Sequence, residues 1–581
     1  MENHTLKFNR QFFRDFWNLL KPYWFSEEKY SAFMLLTLNI LCIIGEVRAS
    51  VAINNFSKDF YDSLQTFNKT ALITSLWHFV FILIALIIAV GYATYFNGLL
   101  CIRWRRWLTK NYLQKWLGNH NHYRMQILGK NVDNPDQRIS EDLDKFPSST
   151  LAAFFMLFHS TLTMVTFGII LWNLSGDFSI PIGTWNITIH GYLFWCAFLY
   201  AAIGTWMTGW IGKKLAALSY QQQRFNADFR YSLVRFREAS EQIALYRGEN
   251  AENENFNSEF KNIFSNFMSI LTISKRLTFF NNGYNTVSFI FGLTIAIPLY
   301  LQKKIQLGGM MQISGAFSRV IGAFSIFVNS FSFFADWRSV IHRLTEFNKV
   351  IDSVDNTHAD IKIGHHEHET VFVNDLNLLL PDGTMLVKKI NYVLQQGETY
   401  LLNGPSGVGK STLLRAFAGL WPYGNGVVTF PVDSRKLFLP QKPYLPLGTL
   451  KDALLYPSKE AVDDETMLHV LELCNLLKFY PQLHETKNWS KELSLGEQQL
   501  IAFSRIFINK PTIIFLDEAT SALDEAAEDK LYASLIEFLP NATIVSVGHR
   551  STLKKFHNQV IEFSRHEDGH AVLGLVSEAV V

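Results

Sequence analysis

The sequence is poor in cysteine, in net charge and, towards its end, in long apolar runs. The four cysteines (Cys42, Cys101, Cys196 and Cys474) have no paired spacing, which argues against a disulfide framework and predicts reduced, inert thiols. The 53 Lys and Arg residues almost balance the 51 Asp and Glu residues, so the net charge of +2 makes no electrostatic case for nucleic acid as a partner. The N-terminal segment lacks the uninterrupted apolar core that a cleavable signal peptide needs.

At 581 residues the chain is too long for one compact core, and its long apolar runs lie almost entirely before about Trp337. Six segments approach the roughly 20 residues that a hydrocarbon core of about 30 Å requires. They cover residues 31–47, 72–100, 149–174, 189–211, 277–301 and 310–335. Any single segment of this kind fits a buried core helix, but six of them cannot all be core helices of one soluble domain. We therefore predict six transmembrane helices, the last of which is diluted by polar residues such as Ser314 and Arg319.

Charge and aromatic patterns predict how these helices lie in the bilayer. Residues 8–25 alternate aromatic with basic side chains, which is typical of a helix in the membrane interface, although an amphipathic helix packed on protein has the same pattern. The segments 101–148 and 212–276 are rich in Lys and Arg, whereas 175–188 has neither. Because positive loops stay cytoplasmic, we expect both termini and the two long loops in the cytosol, the loops as helical extensions of the spans.

Two ionisable residues, Glu46 and Arg48, lie at the outer end of the first predicted span. Ionisable residues inside a membrane are costly and often functional. A residue at the end of a span, however, reaches interfacial water at little cost. Both interpretations stay open at this point.

A polar stretch separates the apolar half from the rest of the chain. We predict a membrane domain at 1–350, a linker at 351–369 and a second domain at 370–581. Three histidines in the linker lack further ligands at zinc-like spacing, so no metal site is predicted there. At the start of the second domain, residues 371–394 have a strand, turn and strand pattern.

Residues 402–413 fit the phosphate-binding pattern G-x-x-x-x-G-K-[ST]. Glycines let backbone N–H groups close around phosphate oxygens, Lys410 reaches the β- and γ-phosphates, and the Ser411 hydroxyl is offered to Mg²⁺. An apolar strand at 399–402 enters the loop and a helical pattern at 412–420 leaves it. We predict nucleotide contacts from Asn403, Gly404, Pro405, Ser406, Gly407, Val408, Gly409, Lys410, Ser411 and Thr412.

Further motifs downstream supply the remaining chemistry. The apolar strand 513–516 ends in Asp517, which helps to hold Mg²⁺ with Ser411 and Gln441, and in Glu518, which orients or deprotonates the attacking water. His549 follows another apolar strand and is placed to contact the γ-phosphate. Glu518, His549 and Gln441 are therefore the predicted catalytic residues.

The segment from Ser494 to Glu497 fits a capping box that opens a helix at 495–508. It is either only a cap or, through the same geometry, an anion site at a helix N-terminus.

The ordered set 404–411, Gln441, 493–499, Asp517, Glu518, Asp524 and His549 closely resembles the ATP-binding-cassette ATPases. The Leu-Ser-x-Gly-x-Gln signature makes this resemblance specific, and it covers about residues 366–565. It implies ATP and Mg²⁺ as cofactors and a nucleotide sandwich, in which the signature of one cassette completes the ATP site on Lys410 of another. Ser494, Gly496, Glu497, Gln498 and Asp524 join the expected ATP contacts on this ground. One cassette and six spans look like a half-transporter that pairs, most simply as a homodimer.

The membrane half narrows the resemblance. Residues 54–65 and 228–249 look like the SbmA/BacA-type domain, which is shared with the eukaryotic subfamily D half-transporters. The resemblance implies an α-helical membrane domain with an exporter-type fold of six transmembrane helices, joined to an α/β P-loop ATP-binding cassette. It implies an ATPase that moves a solute across a bilayer.

Polar residues in or beside the spans favour uptake of a hydrophilic solute, such as a peptide or cobalamin, through a bacterial plasma membrane. The alternatives are a transporter of lipid or fatty acyl-CoA and an ATP-gated channel.

Overall fold

The computed structural model describes residues 9–129, 134–175, 177–182, 185–355, 360–458, 460–565 and 571–576. The chain divides into two compact units. The first comprises Met1–Gln114 and Asp133–Asn348, and the second comprises Lys115–Val132 and Lys349–Val581. We call them the membrane unit and the cassette unit.

The membrane unit is built from long helices. In chain order the helices are α1 (Arg10–Trp24), α2 (Lys29–Gln65), α3 (Lys69–Leu117), α4 (Asn121–Ile127), α5 (Pro135–Gln137), α6 (Leu143–Ser175), α7 (Tyr192–Gly212), α8 (Leu215–Glu238), α9 (Ser240–Tyr246), α10 (Glu249–Leu301), α11 (Leu307–Asn329) and α12 (Phe331–Asp355). A hairpin of β1 (Asp177–Ile182) and β2 (Trp185–His190) joins α6 to α7, and a π turn at Arg138–Asp142 precedes α6. The last turn of α3 and all of α4 belong to the cassette unit.

Five helical stretches are long and apolar enough to cross a membrane within the described part of the chain. They contain α2, α3, α6, α7 and α10, and they coincide with the first five predicted spans. The sixth predicted span falls on α11 and the start of α12, some of whose side chains lie outside the described residues. Its crossing of the bilayer stays a prediction. Helix α2 runs on to Gln65, well beyond the predicted span 31–47, so Glu46 and Arg48 lie near the middle of the helix while their place at the end of the apolar span stays a prediction.

Small residues bring the helices of the membrane unit together. A Cβ at Gly292 of α10 would lie 3.1 Å from the Ser314 Cα atom of α11. A Cβ at Gly204 of α7 would lie 2.3 Å from the Tyr284 ring of α10, and the hydroxyl groups of Tyr200 and Tyr284 donate to each other's backbone carbonyls. Close approach of backbones is how helices associate where water supplies no hydrophobic driving force. Helix α11 lies at the centre, since it contacts α2, α6, α7 and α10.

The N-terminal helix α1 falls within the helix predicted at residues 8–25, and its two faces differ. On one face Phe12 packs edge-on against Trp337 and Tyr23 stacks on Trp104, with ring centroids 5.8 and 5.3 Å apart. On the other face Phe13 and Trp17 are exposed. The helix therefore packs on protein along one side and keeps an aromatic surface of the kind that suits a membrane interface along the other.

The cassette unit contains a large mixed sheet. Its elements are β3 (Ile361–His366), β4 (Val371–Leu379), β5 (Met385–Leu394), β6 (Thr399–Asn403), α13 (Lys410–Phe417), β7 (Gly424–Pro431), β8 (Lys436–Leu439), β9 (Gly448–Thr449), α14 (Leu450–Leu455), α15 (Asp464–Leu473), β10 (Thr486–Lys487), α16 (Trp489–Glu492), α17 (Leu495–Asn509), β11 (Ile513–Asp517), α18 (Glu525–Phe538), β12 (Thr543–Val547), β13 (Gln559–Arg565) and β14 (Ala571–Val576). The described strands run in the order β3-β7-β4-β5-β14-β13-β6-β12-β11-β8, and β9 pairs with β10.

The central strands β6, β11 and β12 are parallel and almost wholly buried. Their continuous apolar sequences are typical of parallel strands covered on both faces. Because parallel strands end at the same edge, the residues that follow β6, β11 and β12 lie together. The predicted phosphate loop, Asp517 with Glu518, and His549 are those residues.

Two segments differ from the predicted domain boundaries. Residues 361–366, predicted as linker, form β3, which pairs in parallel with β7. Because β3 lies at the edge of the sheet, it can be polar, and its composition therefore resembled that of a linker. Residues 115–132, predicted within the membrane domain, belong to the cassette unit, where Tyr423 donates a hydrogen bond of 3.3 Å to the Ile127 carbonyl. The boundaries at 350 and 370 themselves stay predictions.

Candidate nucleotide site

The loop between β6 and α13 has a backbone that glycine favours. Gly404, Gly407 and Gly409 have φ angles of 146°, 76° and 108°. A Cβ at Gly404 would lie 2.7 Å from the Phe563 carbonyl oxygen, so a larger residue would push the loop off the sheet. Val408 is buried in the sheet core and anchors the loop. The loop therefore offers backbone N–H groups in a fixed curve, ahead of the N-terminus of α13, as phosphate binding requires.

Lys410 is held inside this loop. Its Nζ atom donates to the carbonyl oxygens of Gly404 (2.6 Å) and Pro405 (2.9 Å), and its side chain is buried. Burial lowers the pKa of the Lys410 amino group, while the negative charges of Glu518 and Asp517 act in the opposite direction. A cation next to two carboxylates is thus fixed where the loop would surround phosphate oxygens.

Ser411 and Asp517 form an oxygen pair beside Lys410. The Ser411 hydroxyl donates to Oδ1 of Asp517 at 2.8 Å. Burial raises the pKa of the Asp517 carboxyl group, and the hydrogen bond from Ser411 opposes this rise. Within the described residues no group of three His, Cys, Asp or Glu side chains is placed to hold a metal. One hydroxyl and one carboxylate nevertheless suit Mg²⁺, which takes its other oxygens from water and substrate phosphates.

Glu518 is held by two partners that are distant in sequence. Gln441 Nε2 donates to Oε2 of Glu518 at 2.6 Å, and His549 Nε2 lies 3.5 Å from Oε1. Glu518 also has a positive φ of 49°, and its backbone N–H donates to the Val547 carbonyl at 3.1 Å. Backbone strain of this kind clusters at functional sites. The three predicted catalytic side chains are therefore together.

The signature segment is a capping box. The Ser494 hydroxyl accepts the Glu497 backbone N–H at 3.3 Å, and the Glu497 carboxylate accepts the Ser494 backbone N–H at 2.9 Å. Lys478 pairs with Glu497 at 2.5 Å and lowers the pKa of its carboxyl group. The interpretation as a cap is therefore confirmed. An anion site at the same helix start remains compatible with it.

Several other predicted ATP contacts have structural partners within the chain. Gln498 is buried, and its side-chain amide donates to the carbonyl oxygens of Ser490 and Leu493. Asp524 caps α18 by accepting the Ala527 N–H at 2.7 Å. The Asn403 amide donates to Glu562 at 3.5 Å. Contact of these three side chains with nucleotide stays a prediction, and so does that of Ser406, Thr412 and Gly496.

Two positioning residues were missed from the sequence. Gln499 donates to the Gln441 carbonyl at 3.0 Å and accepts the Ala522 N–H at 2.9 Å. Arg550 donates to the carbonyl oxygens of Leu523 (2.8 Å) and Ser521 (3.1 Å). These side chains tie the Gln441 and 521–524 loops to α17 and to the His549 loop. The sequence signals were that Gln499 lies in the motif segment 493–499 and that Arg550 follows His549, a predicted catalytic residue.

Family comparisons agree with this geometry. The model described as "ABC transporter transmembrane region 2" matches residues 19–301, and the model described as "ABC transporter" matches residues 387–521. An ABC transporter ATP-binding protein of Haemophilus influenzae is 35% identical over 94% of this chain and 92% of its own length. This chain belongs to the ABC transporter family. With one transmembrane region and one cassette it is a half-transporter, an integral membrane protein whose ATPase is coupled to transport.

Subfamily D proteins are among its relatives. "ABC transporter D family member 2, chloroplastic" of Arabidopsis thaliana is 32% identical over 95% of this chain and 86% of its own length. "Lysosomal cobalamin transporter ABCD4" of Homo sapiens is 26% identical over 95% of both chains. These matches show that the transporter is homologous to subfamily D proteins. They do not support the SbmA/BacA-type name that the motifs of the membrane half suggested.

A solved structure shows the fold. The bacterial Atm1-family ABC exporter with ATP bound aligns with a TM-score of 0.70 over 93% of the transporter and 94% of that chain, at 15% identity. The predicted combination of an exporter-type helical membrane region with an α/β cassette is thereby confirmed.

Proposed function

We propose that this half-transporter works as a homodimer that uses ATP and Mg²⁺ to take a hydrophilic solute into the bacterial cytoplasm by alternating access. The observation that carries the ATP-driven part is the hydrogen-bonded group Ser411–Asp517 and Gln441–Glu518–His549 beside Lys410. Such a group holds a triphosphate and a water for phosphoryl transfer. A chain that joins it to apolar membrane helices is built to convert hydrolysis into movement.

Each side chain has a separate part in this chemistry. Lys410 and the loop N–H groups bind and orient the β- and γ-phosphates. The Ser411 hydroxyl and the Asp517 carboxylate would hold Mg²⁺, which neutralises phosphate charge when bound. Glu518, oriented by Gln441, takes the proton of the attacking water at a carboxylate oxygen. His549 positions the other oxygen of Glu518 and reaches towards the γ-phosphate.

The homodimer rests on the signature segment. Ser494 and the N-terminus of α17 form an anion-attracting end with no partner cassette in the same chain. A second copy is the simplest source of the Lys410 site that this end would complete. ATP binding would then close two cassettes and reorient the helices, and hydrolysis would release them.

Three arguments support a hydrophilic cargo and uptake. Glu46, His159 and Arg319 lie within apolar helices, where charged groups suit a polar path. A human relative is named a cobalamin transporter. A bacterial relative, from Haemophilus influenzae, supports a bacterial plasma membrane, and the Lys- and Arg-rich segments 101–148 and 212–276 support cassette and termini in the cytoplasm. Peptides and cobalamin are therefore the first cargo classes, and lipid or fatty acyl-CoA is the alternative.

Direction and cargo are tested together in vesicles. The transporter is reconstituted into vesicles, and ATP is added only to the outside solution. This ATP reaches only the transporters whose cassettes face outwards, so for them the outside solution is the cytoplasmic side. Vesicles loaded with labelled cobalamin or a proline-rich peptide should lose label when ATP is added. Accumulation of external palmitoyl-CoA or peptide inside the vesicles would establish export instead. Loss without dependence on ATP would contradict the proposal.

A channel is separated from a transporter by one variant. Glu518→Gln keeps the shape of the side chain and should bind ATP without cleaving it. Cargo movement should stop in this variant if hydrolysis resets the dimer. Flux that continues with ATP bound but uncleaved would establish the ATP-gated channel.

A further inference from the structure

Three ionisable side chains lie at the middle of three helices of the membrane unit. His159 lies at the midpoint of α6, and Glu46 and Arg319 lie close to the midpoints of α2 and α11. At 1.5 Å per residue, His159 lies about 15 Å from one end of the apolar segment 149–174 and about 22 Å from the other, and Glu46 contacts it. That depth falls inside a hydrocarbon core of about 30 Å.

The packing of the helices brings these three side chains together. Helices α2, α6 and α11 contact one another. His159 Nε2 lies 3.4 Å from Oε1 of Glu46, which joins α6 to α2. The next residue, Ser160, donates at 2.6 Å to the Ala323 carbonyl, which lies one turn beyond Arg319 and joins α6 to α11. Arg319 therefore lies one turn from the point where α11 is joined to α6 next to His159.

The exposure of the group differs from that of a structural ion pair. Glu46 and His159 keep 31% and 36% of their side-chain surface, and Arg319 is exposed. In the same unit, Asp142 pairs with Arg343 and keeps only 2%. A charged group that faces lipid at mid-bilayer depth is strongly unfavourable. The exposed sides of the three residues therefore suit a polar passage and not a lipid-facing surface.

Within the group of Glu46, His159 and Arg319, the positive charge of Arg319 has no carboxylate in contact with it in the described residues. Glu46 is in contact with His159, and no carboxylate oxygen lies within 4.0 Å of the Arg319 guanidinium in the described part of the chain. Arg319 thus has a positive charge and planar donors available to a ligand. Arginine matches carboxylate and phosphate oxygens with two parallel hydrogen bonds.

We propose that Glu46, His159 and Arg319 form an intramembrane cargo site that binds an anionic group, a carboxylate or a phosphate, of the transported solute. Arg319 binds the anion and His159 supplies a further ring N–H. Glu46 positions the imidazole and offsets the positive charge when cargo leaves. This inference rests on the proposed transport function, which it extends by naming the chemistry of the cargo.

The first experiment needs no cargo. Gly322 lies one turn from Arg319, and a Cβ there has no atom within 4 Å, so Gly322→Cys introduces a thiol without strain. It is made in full-length protein whose four native cysteines are replaced by serine, and its modification by anionic and cationic methanethiosulfonates is timed in nanodiscs. The anionic reagent should react faster. Arg319→Ala should lower the anionic-to-cationic rate ratio by about tenfold, as loss of a nearby charge in a partly aqueous site predicts.

The control for this experiment is Arg48→Ala. Arg48 is exposed at a similar depth on α2, but it lies two residues from Glu46 and so on another side of the helix. Its substitution should leave the rate ratio within about twofold, because its charge is farther away. A thiol that neither water-soluble reagent modifies, or a ratio that Arg319→Ala does not change, overturns the proposal.

The second experiment uses ATPase stimulation by three probes. They are cyanocobalamin, a proline-rich peptide with either a free or an amidated C-terminus, and palmitoyl-CoA. For a probe that stimulates the wild type, Arg319→Ala should raise the half-maximal concentration about tenfold or more, and Arg319→Lys should restore part of it. Loss of stimulation on amidation identifies a carboxylate ligand, and a response to cyanocobalamin or palmitoyl-CoA that Arg319→Ala weakens identifies a phosphate.

The two experiments distinguish failure of the proposed cargo site from failure of the proposed transport function. An unchanged half-maximal concentration in Arg319→Ala contradicts the site even when transport is confirmed. If no probe stimulates the wild type, the cargo classes proposed above fail, and the rate ratio at Gly322→Cys alone decides the site.

Discussion

Gln441 donates a hydrogen bond of 2.6 Å to the same carboxylate of Glu518 whose other oxygen lies 3.5 Å from His549. The three side chains come from loops that follow β8, β11 and β12, which are neighbours in the sheet. The orientation of the Glu518 carboxylate, the predicted base, is therefore set by two residues outside its own loop. Replacing Glu518 itself and replacing a residue that orients it should therefore have different effects on the kinetics.

We expect Glu518→Gln to lower the rate of ATP hydrolysis by at least about 100-fold, which is the usual contribution of a general base. Gln441→Leu removes one hydrogen bond and should lower kcat by about tenfold. KM for ATP should change little in both variants, because neither side chain is needed to bind the phosphates. Steady-state ATPase assays measure both constants.

The control for these variants is Lys442→Ala, which removes an exposed neighbour of Gln441. It should keep the wild-type kcat. A Gln441→Leu variant that raises KM at constant kcat would instead place Gln441 in nucleotide binding.

The pair Ser411–Asp517, 2.8 Å apart, predicts how hydrolysis depends on magnesium. Ser411→Ala removes one oxygen ligand and should raise the Mg²⁺ concentration for half-maximal activity by about tenfold. Ser411→Thr keeps the hydroxyl and should restore most of the affinity. The measurement is a Mg²⁺ titration of ATPase activity at constant ATP. Equal Mg²⁺ dependence of the Ala and Thr variants would exclude Ser411 as a ligand.

A buried ion pair predicts a sharp effect on the stability of the membrane unit. Arg343 binds Asp142 through Nε (2.8 Å) and Nη2 (2.5 Å), and Arg138 binds the same carboxylate at 2.9 Å. Asp142→Asn leaves two guanidinium groups without their counter-charge and should cost about 3 kcal/mol. The measurement is the apparent Tm in detergent.

The neighbouring residue gives a matched control for Asp142. Glu141 forms an exposed pair with Lys145 at 3.1 Å. Glu141→Gln should therefore cost less than about 1 kcal/mol. Equal losses of Tm in the two variants would mean that burial does not decide the strength of these pairs.

The sequence predicted which side chains of the cassette come together, because these residues lie at strand ends. Asp517, Glu518 and His549 each follow a short apolar strand, and parallel strands place such residues at one edge. Gln499 was missed because its partner Gln441 is 58 residues away, and no local pattern reports that hydrogen bond. Strand β3 was missed because a polar edge strand resembles a linker in composition.

The membrane unit was predicted less completely for a related reason. Apolar length gave the helices, but it did not show that α2 continues to Gln65, well beyond its apolar run. The contact of Glu46 with His159 depends on the relative heights of α2 and α6. Periodicity within one helix contains no information on that height.

Buried His557 predicts a pH dependence of cassette stability. Its ring nitrogens lie 2.8 Å from the Ser546 hydroxyl and 2.7 Å from the Leu553 carbonyl, and burial lowers the pKa of the imidazole from 6.5 to about 4. Above pH 6.5 the ring is neutral in both folded and unfolded chains. As the pH falls from 6.5 to 4, the unfolded chain takes up a proton that the folded chain resists. Stability should fall by about 3 kcal/mol over this window.

The measurement is the apparent Tm of the full-length protein between pH 7 and pH 4.5. His557→Gln should flatten the decrease, whereas His365→Gln, which changes an exposed histidine of β3, should keep it. A decrease that is as steep in His557→Gln as in the wild type would assign the pH dependence to other groups.

Mixed pairs of variant copies test the homodimer. Ser494→Asp keeps a good helix cap but adds a negative charge where a phosphate is expected, and Lys410→Ala removes the phosphate-binding cation. Each variant alone should be inactive. If the signature of one copy completes the Lys410 site of the other, a purified pair with one copy of each variant has one intact site. It should recover up to about half of the wild-type ATPase rate, provided that the sites act independently.

The uncharged variant Ser494→Asn distinguishes repulsion of phosphate from loss of the cap. Asn is as good an N-cap as Asp, so only Asp should abolish hydrolysis if the added charge is the cause. A mixed pair that stays inactive, if the two sites act independently, would mean that each copy completes its own site. In that case Ser494 and Lys410 would have to act within one chain, and the anion-attracting end of α17 would need no second copy.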